Sequence, residues 1–188
     1  MLDTTAIRKN LKIEIDGDPW IVVDFQFVKP GKGQAFTRTK LKNMISGNVV
    51  DRTYRSGEKI GEAARIDEKN MMFLYAQGDA YTFMDNSTYD QVEITEEQIG
   101  DAKNYLIENM NVEVLFFNDR AIGLDLPNFV ELEITEIEPA VKGDTVSGAT
   151  KPATVSTGYV VNVPMFVSGD DVILVDTRTG EYVERVKK

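Results

Sequence analysis

Val130-Glu131-Leu132-Glu133-Ile134 alternates apolar and acidic residues with a period of two. That is the pattern of a strand with one face on a core and the other in water. The same texture extends outward in both directions. Trp20-Ile21-Val22-Val23, Val112-Glu113-Val114-Leu115-Phe116-Phe117 and Val172-Ile173-Leu174-Val175 are short β-branched and aromatic runs. Asn118-Asp119 and Arg178-Thr179-Gly180-Glu181 read as hairpin turns between such runs. Many short strands at close spacing predict an all-β chain of small barrels or sandwiches. One segment departs from this. Thr95 and Gln98 form a capping box, Ile94 and Ile99 a hydrophobic staple, and Ile99, Ala102, Leu106 and Met110 one apolar stripe. These predict a short helix near residues 96–109. Residues 81–94 and 173–186 are faintly alike, with Asp85, Thr88 and Tyr89 against Asp176, Thr179 and Tyr182, too slightly to define a repeat.

The chain has 188 residues, 42% hydrophobic and 28% charged, an ordinary globular composition that argues against disorder. Boundaries are expected near residue 65, after the Ser56-Gly57-Glu58-Lys59 turn, and near Leu126-Pro127-Asn128. They give domains at 1–65, 66–127 and 128–188. The sequence contains neither cysteine nor histidine. Disulfides, thiolate nucleophiles, Cys/His zinc sites and His-based catalytic triads are therefore excluded. Any general base would be a carboxylate or a lysine. No apolar run approaches the roughly 20 residues of a membrane helix. Met1-Leu2-Asp3-Thr4-Thr5 lacks the basic-then-apolar order of a secretory signal. A cytoplasmic protein with no membrane partner is the simplest expectation.

The formal net charge of -10 conceals an asymmetry. Residues 1–65 carry 12 Lys+Arg against 8 Asp+Glu, and residues 66–188 carry 9 against 23. Salt screens exposed charges over roughly 8 Å, so a local basic patch can meet phosphate despite the total. An imbalance of this kind points toward a nucleic-acid partner, although on charge alone an uneven distribution of solubilising residues is the preferred reading.

The chemistry concentrates in Phe27-Val28-Lys29-Pro30-Gly31-Lys32-Gly33-Gln34-Ala35-Phe36, with strand-like sequence on both sides. Proline then glycine at the centre of Lys29–Lys32 predicts a type II turn, with Gly31 at positive φ. Lys32 would stand at the tip between two glycines, with no neighbour to pack on its stem. The returning strand adds Arg38, Lys40 and Lys42, and alternate residues share one face. From Lys32 to Lys42 an extended chain covers roughly 33 Å, enough to track a nucleic-acid backbone through position-setting phosphate contacts. Gly31-Lys32-Gly33 is not a phosphate-binding loop, because the Gly-x4-Gly-Lys-Ser/Thr spacing and the following helix are missing. Taken alone, such a turn and such a strand are ordinary solvated features.

Lys29 to Phe36 resembles the tip of the bacterial translation elongation factor P family, and the similarity extends along essentially the whole chain. Phe83-Met84-Asp85, Leu126-Pro127-Asn128-Phe129-Val130-Glu131, Lys142-Gly143-Asp144-Thr145, Lys151-Pro152-Ala153-Thr154, Val163-Pro164 and Asp176-Thr177-Arg178-Thr179-Gly180-Glu181-Tyr182 carry it. Val155, the placement of Gly169 and Leu174 depart from the usual pattern. The resemblance implies a KOW-type (SH3-like) barrel followed by two OB folds, in an L shape that mimics tRNA. It implies a non-enzymatic factor that binds the ribosome between the P and E sites and helps peptide bonds form at stalled, proline-rich sequences.

Lys32 is then the functional tip, open to a covalent extension by a lysine-modifying enzyme, and no other cofactor is implied. Pro30, Gly31 and Gly33 present it. Lys29, Arg38, Lys40 and Lys42 would contact RNA, with the CCA end of the P-site peptidyl-tRNA as the target of Lys32. Gly143, Asp144, Thr145 and Gly148 fall in a loop that approaches the small subunit in the family, so both subunits are expected partners of a monomer. Two readings compete. A general single-strand binder would want aromatic platforms on a basic groove, which the acidic two-thirds of the chain opposes. An enzyme using Asp170 and Asp171 would place adjacent strand residues on opposite faces, so a solvated turn is the better account of that pair.

Overall fold

The computed structural model describes residues 1–139 and 149–186. Its architecture is all-β: three antiparallel sheets and one short helix. Two compact units divide the chain, one of residues 1–69 with 114–123 and one of residues 70–113 with 124–188.

The first unit holds β1 (Leu2–Asp3), β2 (Lys12–Ile15), β3 (Asp18–Val28), β4 (Phe36–Asn43), β5 (Val49–Arg55) and β6 (Lys59–Ala63) in the order β1-β6-β2-β3-β4-β5. Asp16 and Gly17, with φ of 53° and 85°, make the two-residue turn from β2 to β3. Such turns need positive φ at both positions to match strand twist. Leu11, Ile13, Val22, Leu41, Tyr54 and Ile60 form the core. A second cluster joins Met44 to Leu115, Phe117 and Ile122. A bulge between Val22 and Asp24 shifts the β3–β4 register, and bulges bend and twist the strand that carries them. Beyond it β3 has left β2, whose pairing ends at Ile21. β3, β4 and β5 continue as a three-stranded arm to Val28, Phe36 and Arg55.

The second sheet runs β11-β10-β7-β8-β9, from β7 (Asp67–Gln77), β8 (Ala80–Asp85), β9 (Gln91–Thr95), β10 (Asn111–Phe117) and β11 (Arg120–Asp125). Asn118 and Asp119 turn β10 into β11 at φ of 49° and 64°, the hairpin read from sequence. α1 (Glu96–Ile99) has the expected capping box, in which Gln98 N–H donates to Thr95 Oγ1 and Thr95 N–H to Gln98 Oε1. The helix is shorter than its stripe predicts. Gly100 takes φ 61° and ψ -138° at its C-cap, and only a 3-10 segment, Gly100–Asn104, follows. Leu106 is buried all the same, delivered by irregular chain rather than by a helix reaching residue 109.

The third sheet runs β14-β13-β12-β15-β16, from β12 (Phe129–Ile137), β13 (Thr150–Val155), β14 (Val160–Pro164), β15 (Val172–Asp176) and β16 (Glu181–Val186). Its edge strands β14 and β16 approach one another, so the sheet curls toward a barrel. Val130, Leu132 and Ile134 point into a core with Val155, Val161, Val163, Ile173 and Val175, while Glu131 and Glu133 face water. Tyr105 packs edge-on to Tyr159, ring centroids 5.6 Å apart, and Thr157 Oγ1 donates to the carbonyl of Asn104 at 2.6 Å. Burial, reinforced by Tyr159, pushes the Tyr105 phenol up to about 12.

Candidate functional site

The arm of the first unit ends in residues 29–35, which link β3 to β4. Gly31, Lys32 and Gly33 form a bend. The type II turn expected at Lys29–Lys32 is not present. The left-handed residue is Gly33, at φ 108°, and Gly31 lies outside that region. The physical reason is that seven residues, 29–35, cross between the strands, so the reversal falls at Gly33, two residues beyond Gly31. A Cβ at Gly33 would lie 3.8 Å from Pro30 Cγ, so Pro30 stands against the glycine that makes the reversal. Ser56 N–H donates to the Ala35 carbonyl at 3.1 Å and Gly57 N–H to Thr4 Oγ1 at 2.8 Å, which ties the base of the loop to the turn after β5 and that turn to the N-terminus.

Lys32 is exposed at the end of this arm and makes no hydrogen bond or ion pair with any described residue. Lys29, Arg38 and Lys40 are exposed too, and Lys42 is half-buried. The Arg38 guanidinium lies 5.5 Å from the centre of the Phe36 ring. Cross-strand partners share a face, so register reveals what surrounds each cation. Arg38 lies between Gln26 and Thr53, and Lys42 between Ile21 and Val49. Lys40 lies between Asp24 and Asp51. The basic ladder thus carries a carboxylate on each side of its middle rung. An open depression of about 440 Å³ runs over this part of the arm, bordered by Asp24, Arg38, Lys40 and Arg52.

Two residues of the arm escape a reading by sequence. Phe25 and Phe27 are 42% and 59% exposed. Their cross-strand partners are Thr39 and Thr37, both buried. Alternation in Asp24-Phe25-Gln26-Phe27 signals a half-buried strand, but beyond the bulge, where β3 has left β2, the two phenylalanines stay exposed beside their buried threonine partners. The loop containing Gly143, Asp144, Thr145 and Gly148 lies outside the described residues. Asp170 and Asp171 serve a turn: Ser168 Oγ donates to Asp170 and Ser168 N–H to Asp171, which also pairs with Arg185 at 3.7 Å. Among the described residues no group of three acidic side chains could hold a metal ion, and no helix is long and apolar enough to cross a membrane.

Three family models match the chain in succession: the elongation factor P KOW-like domain over residues 3–60, the elongation factor P OB domain over 66–124, and elongation factor P, C-terminal, over 130–185. The chain is 55% identical over 188 residues to elongation factor P of Desulfatibacillum aliphaticivorans and 54% over 187 residues to that of Syntrophus aciditrophicus, with all of both chains covered in each case. It is 51% identical over 187 residues to elongation factor P 2 of Geobacter sulfurreducens, again over the whole of both chains. An all-β chain of KOW-like and OB domains with these relatives is a translation factor. The chain belongs to the elongation factor P family.

Proposed function

We propose that this translation factor binds the ribosome between the P and E sites and speeds peptide-bond formation at stalled, proline-rich sequences by steadying the CCA end of the P-site tRNA with Lys32. The exposed Lys32 amine at the end of a three-stranded arm, unpaired among the described residues, is the observation that carries this reading. The reading takes domains at 1–65, 66–127 and 128–188, and the matched spans 3–60, 66–124 and 130–185 support it. The chain supplies no chemistry of its own, because the ribosome forms the bond. Its contribution is orientation: a terminal adenosine held near its reactive geometry has already lost the freedom that a floppy end must lose at the transition state. Arg38, Lys40 and Lys29 hold phosphates along the approach, and a covalent extension placed on Lys32 by a lysine-modifying enzyme lengthens its reach. The protein acts in the cytoplasm, where ribosomes are.

A reconstituted translation reaction tests this. On a message encoding consecutive prolines, adding the protein purified from its native host raises full-length product, while a proline-free message is unaffected. Equal stimulation of both messages, or of neither, contradicts the proposal.

A further inference from the structure

The β8–β9 loop, residues 86–90, is built like the β15–β16 loop, residues 177–180. Ser87 N–H donates to Asp85 Oδ1 at 2.7 Å, and Arg178 N–H to Asp176 Oδ1 at 2.8 Å. Tyr89 N–H donates to the Asp85 carbonyl at 2.9 Å, and Gly180 N–H to the Asp176 carbonyl at 2.7 Å. Asp90 N–H reaches Thr88 Oγ1 at 3.2 Å, and Glu181 N–H reaches Thr179 Oγ1 at 3.2 Å. Tyr89 therefore corresponds to Gly180, not to Tyr182. Both positions are left-handed, at φ 64° and 77°.

The glycine is what the loop wants there, since a bulky residue at positive φ meets a steric cost. In the β15–β16 loop Tyr159 and Tyr105 crowd the position, and a Cβ would lie 2.5 Å from the Tyr159 hydroxyl. In the β8–β9 loop Tyr89 is 71% exposed. Folding thus gives no reason for a tyrosine at 89. At the start of the loop Asn86 Nδ2 donates to Asn111 Oδ1 at 3.0 Å. The surroundings of Tyr89 select the ligand. Asp85 and Asp90 flank the loop, and the nearest basic residues along the chain are Lys69, whose amine lies 4.9 Å from the centre of the Phe116 ring, and Lys103. Lys103, the next basic residue, is paired with Glu96 at 2.8 Å. An electron-rich ring face in an anionic setting attracts a cation and repels phosphate.

We propose that Tyr89, with Asp90 beside it, is a contact that receives a lysine or arginine side chain of a basic protein on the ribosome. This rests on the ribosome binding proposed above. The test uses 70S ribosomes and three forms of the chain. Tyr89→Gly is expected to melt no lower than the parent and to bind ribosomes about three- to thirty-fold more weakly, and Tyr89→Phe to bind like the parent. With p-benzoylphenylalanine at position 89, irradiation is expected to link the chain to a ribosomal protein. Equal binding by Tyr89→Gly and the parent, a crosslink to ribosomal RNA, or no crosslink from a bound chain overturns the contact alone. A parent chain that fails to bind ribosomes overturns the proposed function and this contact together.

Discussion

Gly180 and Thr95 each fix a local geometry through one feature, and substitution isolates it. At Gly180 a methyl group would meet the Tyr159 and Tyr105 hydroxyls at 2.5 Å and 3.0 Å, on a backbone at φ 77°. Gly180→Ala is expected to cost about 1–3 kcal/mol of stability, measured by urea unfolding. Gly33→Ala at φ 108° meets only Pro30 Cγ at 3.8 Å, so it carries the backbone strain without the clash. Thr95→Ala removes the acceptor of the Gln98 N–H bond and is expected to cost about 1 kcal/mol. The capping box was legible because it is a contact between residues three apart. The need for glycine at 180 was only half legible: sequence shows a turn, but the crowding comes from tyrosines 21 and 75 positions away.

Among the elements, the arm shows most clearly where pattern reading stops. Alternation placed Arg38, Lys40 and Lys42 on one face, and strand register agrees. Asp24 and Asp51 flanking Lys40 could not be read in advance, because cross-strand neighbours depend on a register that the Val22–Asp24 bulge resets. Salt titrations of ribosome binding separate the charges. Arg38→Gln is expected to weaken binding and to reduce the slope of log K against log salt by about 1, as the loss of one phosphate contact does. Asp24→Asn and Asp51→Asn remove anions beside Lys40 and are expected to tighten binding at low salt. α1 offers the same lesson: a 3.6-residue apolar period continued past Ile99, yet Gly100 at φ 61° ended the α-helix there.

For the whole molecule, the all-β class and the resemblance along its length were legible because alternation, turns and ordered motifs are local properties of a sequence. The burial of Tyr105 against Tyr159 was not, and it has a measurable consequence. The Tyr105 phenol is raised by desolvation and by Tyr159 to about 12, against 10.0 for an unperturbed tyrosine. Both states are neutral below pH 10. Above it the unfolded chain ionises first, so stability is expected to fall as pH rises from 10 toward 12. Tyr105→Phe is expected to flatten that decline in melting temperature measured between pH 9 and 12.

The account stands or falls on Lys32, exposed at the end of its arm and unpaired among the described residues. The most direct measurement compares the native-host protein with Lys32→Ala for two properties: sedimentation with 70S ribosomes, and rescue of a proline-run message in reconstituted translation. The expected result is a folded variant that keeps most of its ribosome binding and loses rescue. A Lys32→Ala chain that rescues as well as the parent would contradict it.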